Sequence, residues 1–211
     1  MSIPPKFNLF RCPHPWPNPR HRQRNNKQNQ LQNVQYRQKV CLDRSVETST
    51  ITPMEIRPAL PKDAIQICEI WNAIIRDTLI TFTTNEKTAV EIEHALNKQH
   101  LYFVAVEGSK VLGFTTYGPF RAGPGYAQTM ELSLNLATTA RGKGVGTQLL
   151  QMLEQTAQNR GVTALIAGVS GANPSAIRFH EKNNYTRVAT LPQVGQKFGQ
   201  RLDLVLLQKL L

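Results

Sequence analysis

"RGKGVGTQLLQMLE", residues 141–154, places glycines at 142, 144 and 146 directly ahead of a run with helical spacing, and sets Arg141 and Lys143 among them. Two nucleotide templates fail here on spacing. A Walker-type phosphate loop needs Gly-Lys followed by Ser or Thr, whereas Lys143 precedes Gly144; the dinucleotide fingerprint G-x-G-x-x-G breaks at Thr147. What remains is physical. Glycines let the backbone approach an anion closely, the helix that follows offers unpaired N–H groups and a positive dipole end, and the two cations add formal charge. These are the parts of a pyrophosphate cradle. A helix start that needs Gly only for its turn accounts for one glycine, not for three with two flanking cations.

Working outward, "TMELSLNLA" just before the turn alternates cleanly, with Met130, Leu132, Leu134 and Leu136 on one face and Glu131, Ser133 and Asn135 on the other. It reads as a strand. After the turn come a helix over about 146–160 stopped by Gly161, the apolar strand "TALIAGV", a short helix over about 174–183 and two closing strands. Strand, helix, strand implies a parallel crossover. Upstream, "EIRPA" is a short strand, and Ile67, Ile70, Trp71 and Ile74 recur at i, i+3, i+4 and i+7 as an amphipathic helix. Thr88 and Glu91 form a capping box for a second helix with Ala89, Ile92 and Leu96 as its apolar stripe. "LYFVAV" and "VLGFTTY", joined by "EGSK", make a hairpin. An antiparallel start and a parallel crossover together define an α+β (mixed α/β) domain.

The chain has 211 residues, 40% of them hydrophobic, enough to bury one medium core. Its net charge of +11 is uneven: residues 1–53 carry nine Lys/Arg against Asp43 and Glu47. That basic segment ("PHPWPNPRHRQRNNKQNQLQNVQYRQK") is rich in Pro, Gln, Asn and Arg, poor in aliphatics and without a period, so it is expected to be a disordered extension before a domain at 54–211. A dispensable extension is favoured over a nucleic-acid-binding or targeting role. The three cysteines, Cys12, Cys41 and Cys68, are odd in number and widely spaced, so neither a disulfide framework nor a metal site is indicated. No apolar run approaches the ~20 residues that cross a bilayer. A cytoplasmic location without a membrane partner is expected.

The order strand, R-x-x-G-x-G, helix resembles the acyl-coenzyme A signature of the GNAT acetyltransferase superfamily, matched by Arg141, Gly144 and Gly146. "RPALPKDA", "ITFTTNEKT", "MELSLNLATTARGKGVG", "GANPSAIRFHEKNNY" and "VGQKFGQRLDLVLLQ" resemble, in order, segments of its phosphinothricin and methionine-sulfoximine N-acetyltransferase group. The resemblance implies a central mixed sheet splayed between its parallel strands, acetyl-coenzyme A as cosubstrate, a small amine acceptor and, by the family's habit, a homodimer. It implies that Leu134, Asn135 and Leu136 pair with the pantetheine arm, that Gly142, Lys143, Gly144, Val145, Gly146 and Thr147 wrap the pyrophosphate beside Arg141, and that Asn173 contacts the cofactor again.

An acceptor ammonium must lose a proton before it can attack, and Glu131, on the polar strand face beside the cradle, matches the position of the family's base. Where many relatives carry a tyrosine acid, this group has histidine; here it is His180, with Tyr185 as the fallback acid. The resemblance also makes Arg121, Phe82 and Tyr126 candidate acceptor contacts, Arg121 as a fork for a carboxylate. Several positions depart from the group: Asn135 for a usual tyrosine, Ala176 for serine, Arg201 for tryptophan, and Asn183-Asn184 for Leu-Gly. Acetylation of a peptide amine, and coenzyme sensing without catalysis by a protein whose basic segment touches nucleic acid, are the competing functions at this stage.

Overall fold

The computed structural model describes residues 53–97 and 101–211, so the expectations for the basic extension lie outside the described residues. Its seven strands are β1 (Glu55–Pro58), β2 (Tyr102–Glu107), β3 (Lys110–Pro119), β4 (Thr129–Leu136), β5 (Ala164–Ser170), β6 (Thr186–Lys197) and β7 (Gln200–Leu210). They form one sheet in the order β1-β2-β3-β4-β5-β7-β6. The helices are α1 (Ala64–Asp77), α2 (Ala89–Asn97), α3 (Val145–Asn159) and α4 (Pro174–Lys182). Every pairing is antiparallel except β4 with β5, the two strands that flank α3. This is the α+β architecture that the periodicities predict. None of the helices among the described residues is long and apolar enough to cross a membrane.

Alternation along β2, and along β3 across a bulge where Val106 pairs with Val111, sends side chains to both sheet faces, and each face is buried by helices. Phe103, Ala105 and Leu112 join Leu149, Leu150 and Leu153 of α3, while Val104, Val106 and Phe114 meet Ala64 and Ile67 of α1 and Ile92 of α2. The three α3 leucines are at most 1% exposed, and burial of such a side chain contributes about 1.5–3 kcal/mol. This packing anchors α3, and with it the glycine turn, against the sheet.

Local chemistry sets the ends of these elements. The Thr88 amide donates to Glu91 Oε2 at 2.8 Å and the Glu91 amide to Thr88 Oγ1 at 3.2 Å, completing the capping box ahead of α2. Asn184, after α4, has φ 66°, the left-handed backbone that Asn tolerates best after Gly. Ahead of α1, Asp63 receives Arg57 Nη1 at 2.7 Å and Nη2 at 3.0 Å, and the Leu60 amide at 2.8 Å. Burial pushes the Asp63 carboxyl up, but these donors outweigh it and hold it below the ordinary carboxylate value.

A folded-state pKa below the unfolded one stabilises fully above the ordinary carboxylate range, and the contribution disappears as pH falls through the lowered value. Asp63→Ala, which leaves Arg57 without its partner, is expected to cost on the order of 3 kcal/mol at pH 7 and much less at strongly acid pH. Denaturant unfolding at the two pH values measures both; an equal loss at each would rule out the ion pair as the cause.

Candidate active site

The parallel pairing of β4 and β5 runs only from Thr129↔Ala164 to Leu132↔Ala167, although β4 continues to Leu136 and β5 to Ser170. Beyond that point each strand keeps its other neighbour: β4 pairs with β3 as far as Leu136↔Gly113, and β5 with β7 as far as Ser170↔Leu204. The sheet therefore forks without either strand fraying. Buried main-chain polar groups need partners, so the fork edge of β4 past Leu132 is suited to an extended ligand that pairs as a strand would. A cavity of about 500 Å³ runs along the open edge of β4 and is bounded on the other side by the segment that leads from β5 into α4. Leu134, Asn135, Leu136, Arg141, Gly142 and Asn173 are among its walls.

Gly142 and Gly144 have φ 75° and 80°, a left-handed backbone in which L side chains are strained. Nothing lies within 4 Å of a β-carbon at either position, so conformation rather than crowding calls for glycine. Gly144 caps α3, and no side chain accepts a hydrogen bond at this N-terminus. The open first-turn amides and the helix dipole are thus left for an anion. Gly146 serves differently: a β-carbon there would lie 3.3 Å from the Phe179 ring and 3.4 Å from Leu136, so its absence lets α3 close onto α4 and the fork. An open strand edge, a cavity beside it and an uncapped glycine turn have the shape and donor groups that suit the pantetheine arm and pyrophosphate of an acyl-coenzyme A. Val145 is in the core, so only its main chain is available. Lys143 is exposed and Thr147 half-buried, and neither lines the cavity. The Asn173 side chain caps α4, accepting from the Ala176 amide at 3.1 Å.

A second cavity of about 300 Å³ adjoins the first, sharing Ile80, Leu134, Asn135, Asn173 and Ala176. Ser133, Gly168 and His180 line it. A β-carbon on Gly168 would lie 2.7 Å from Glu131 Oε1, so the Glu131 carboxylate rests on this wall glycine, although Glu131 itself is not among the residues that line the cavity. Partial burial raises the Glu131 carboxyl above its usual value, and the Arg121 charge works the other way. His180 is 5% exposed, packs edge-on against Phe179 and Tyr185 at 5.2 and 5.1 Å, and has an unpartnered Nδ1. Its burial lowers the imidazole pKa to about 4. At neutral pH this ring is uncharged, with one N–H and one acceptor nitrogen.

The remaining expected residues lie around this centre rather than in it. Tyr185 lines neither cavity; its hydroxyl is buried beside Glu154, whose charge together with burial raises the phenol pKa. Phe82 lies against Gly195 of β6, and Thr81 and Thr83 on either side of it face the second cavity. Tyr126 and Arg121 flank Phe120, Tyr126 edge-on at 6.3 Å and Arg121 at 5.0 Å, and neither lines either of these two cavities. Trp71 and Lys87 are among the wall residues that the sequence does not single out as site residues. Trp71 was legible as a member of the α1 stripe, but only the approach of residues 80–87 turns that stripe into a wall.

The sequence profile of the acetyltransferase (GNAT) family matches residues 67–185. The chain is 33% identical to the L-methionine sulfoximine/L-methionine sulfone acetyltransferase of Salmonella typhimurium over 161 residues, 74% of this chain and 93% of that protein. It is 29% identical to the phosphinothricin N-acetyltransferase of Streptomyces coelicolor over 157 residues, 71% of this chain and 92% of the relative. A crystal structure of a GNAT superfamily phosphinothricin acetyltransferase from Sinorhizobium meliloti in complex with AcCoA superimposes with a TM-score of 0.70 at 27% identity, covering 75% of this chain and 88% of that one. The forked sheet, the uncapped glycine turn and these similarities converge: the chain belongs to the GNAT acetyltransferase family and is an acetyl-coenzyme A-dependent N-acetyltransferase.

Proposed function

We propose that the enzyme acetylates the free amine of a small amino-acid-like acceptor, of the phosphinothricin or methionine sulfoximine type, by direct attack within a ternary complex, and that residues 54–211 form the unit that does so. The observation that carries this reading is the Glu131 carboxylate resting on Gly168, a wall residue of the small cavity lined by both β4 and β5. A volume of about 300 Å³ suits a single amino acid and supports a small acceptor over a peptide.

When bound, acetyl-coenzyme A supplies an acetyl group activated as a thioester. The protein's own tasks are positional and protolytic. The amides at 142–146 and Arg141 hold the anionic end, and the open edge of β4 at Leu134–Leu136 aligns the arm. Glu131 takes a proton from the acceptor's ammonium; burial raises its carboxyl above the ordinary value, which strengthens it as a base. His180, uncharged at pH 7, relays a proton rather than delivering one from an imidazolium. Arg121 acts on this centre through its charge on Glu131.

Glu131→Gln is expected to lower turnover by about 10²–10⁴ with coenzyme affinity retained, measured by thiol release and calorimetry. Unchanged turnover would remove Glu131 from the chemistry. Arg121→Met takes away the charge that depresses the Glu131 pKa, so the acidic limb of the kcat/KM profile should move to higher pH. A limb that stays in place would show that the carboxylate does not govern it. Gly144→Val forces a β-branched side chain into left-handed backbone, a strain of roughly 1–2 kcal/mol, and coenzyme affinity should fall about tenfold, with Gly144→Asn losing less. Equal affinity in all three proteins would separate the turn from coenzyme binding.

A further inference from the structure

Among the residues lining the second cavity, Lys87 carries the only formal cation, since the His180 ring is uncharged at neutral pH. Its position is built rather than incidental. Asn72 of α1, 8% exposed, grips the Lys87 main chain from both sides: its Nδ2 donates to Lys87 O at 2.8 Å and its Oδ1 accepts from the Lys87 amide at 2.8 Å. Cys68 Sγ donates to the same carbonyl at 3.0 Å. One residue before Asn72, the Trp71 ring lies beneath Lys87 Nζ at 5.5 Å from its centroid, and that ring is braced on Phe114 at 5.0 Å. The next residue back along the loop, Glu86, is tied to α1 by Arg76 at 2.8 Å. Among the described residues no carboxylate pairs with the Lys87 ammonium.

Lys87 thus gives the cavity an ammonium, and the Glu131 carboxylate, though not itself among the lining residues, lies against Gly168 of the same wall; together the two charges have the pattern of a zwitterion in reverse. We propose that Lys87 binds the carboxylate of the amino-acid acceptor while Glu131 takes the amine, which makes Lys87 the residue that selects acids over amides. This rests on the acetyl-transfer reading above. It assigns the carboxylate to Lys87 rather than to Arg121, which lies outside the cavity and reaches the site only through the charge it sets on Glu131. A main chain held by the buried Asn72 amide and a stem supported by Trp71 leave little motion to be lost when the anion arrives, so the ion pair keeps its discrimination. Lysine, a compact point charge with rotatable donors, suits one carboxylate in a narrow cavity.

The test uses L-methionine sulfone and its α-carboxamide as acceptors with the wild type, Lys87→Met, Lys87→Arg and Arg121→Met. In Lys87→Met the KM for the acid should rise about tenfold or more with kcat changed less than about twofold, the KM for the amide should change less than about twofold, and Lys87→Arg should recover part of the loss. Equal losses on acid and amide, no loss at all, or loss of acid-over-amide preference in Arg121→Met instead would each overturn the assignment. Calorimetric titration of the sulfone into protein saturated with coenzyme A separates the two proposals. Lys87-dependent binding without acetyl transfer would uphold Lys87 and sink the acceptor reading. Transfer by the wild type with no dependence on Lys87 would do the reverse, and a wild type that neither binds nor acetylates the sulfone would overturn both. Thermal unfolding of each variant checks that the fold is retained.

Discussion

Main-chain pairing between β4 and β5 ends at Leu132 and Ala167 while both strands run on, and the site is built around that parting. A strand that loses a neighbour usually exposes polar groups to no purpose. Here β3 and β7 hold the far edges of β4 and β5 through the whole divergent stretch, so the fork stays rigid while its inner edge remains open. In the proposed reading the same opening offers the coenzyme a main-chain partner and joins the acceptor cavity to the reacting group.

The glycine turn works because it is joined to the fork by packing as well as by sequence. Gly146 admits the Phe179 ring of α4 and Leu136 of β4 to close range, so the start of α3 cannot drift from the strand that guides the ligand. Gly142 and Gly144 use conformation instead, turning the backbone left-handed where no side chain crowds it. Three glycines at alternate positions thus perform two distinct physical tasks, one of them invisible in the spacing.

Electrostatics in the acceptor cavity follow from burial and placement together. Burial neutralises His180 and raises the Glu131 carboxyl, while Arg121 outside the wall limits that rise. Lys87 lines the cavity on a frame made by Asn72 and Trp71 of α1. An ammonium on one wall of a small cavity and a carboxylate against the glycine of another can orient a zwitterion before any bond changes.

Much of this was legible in the residues. The alternation of Met130–Leu136, the stripe of Ile67, Ile70, Trp71 and Ile74, the Thr88–Glu91 box and the left-handed Asn184 each depend on a few neighbouring residues, so periodicity and turn chemistry suffice to read them. The acetyl-coenzyme A family was legible too, because its signature is a local turn joined to a local helix. Only tertiary structure decided that β7 enters between β5 and β6, that the Tyr185 hydroxyl turns toward Glu154 and away from both cavities, that Arg121 stays outside, and that Lys87 comes to rest over Trp71. Those outcomes depend on which distant segments share a wall once the core has closed, and that is settled by packing and chain connectivity, which no short window of sequence contains.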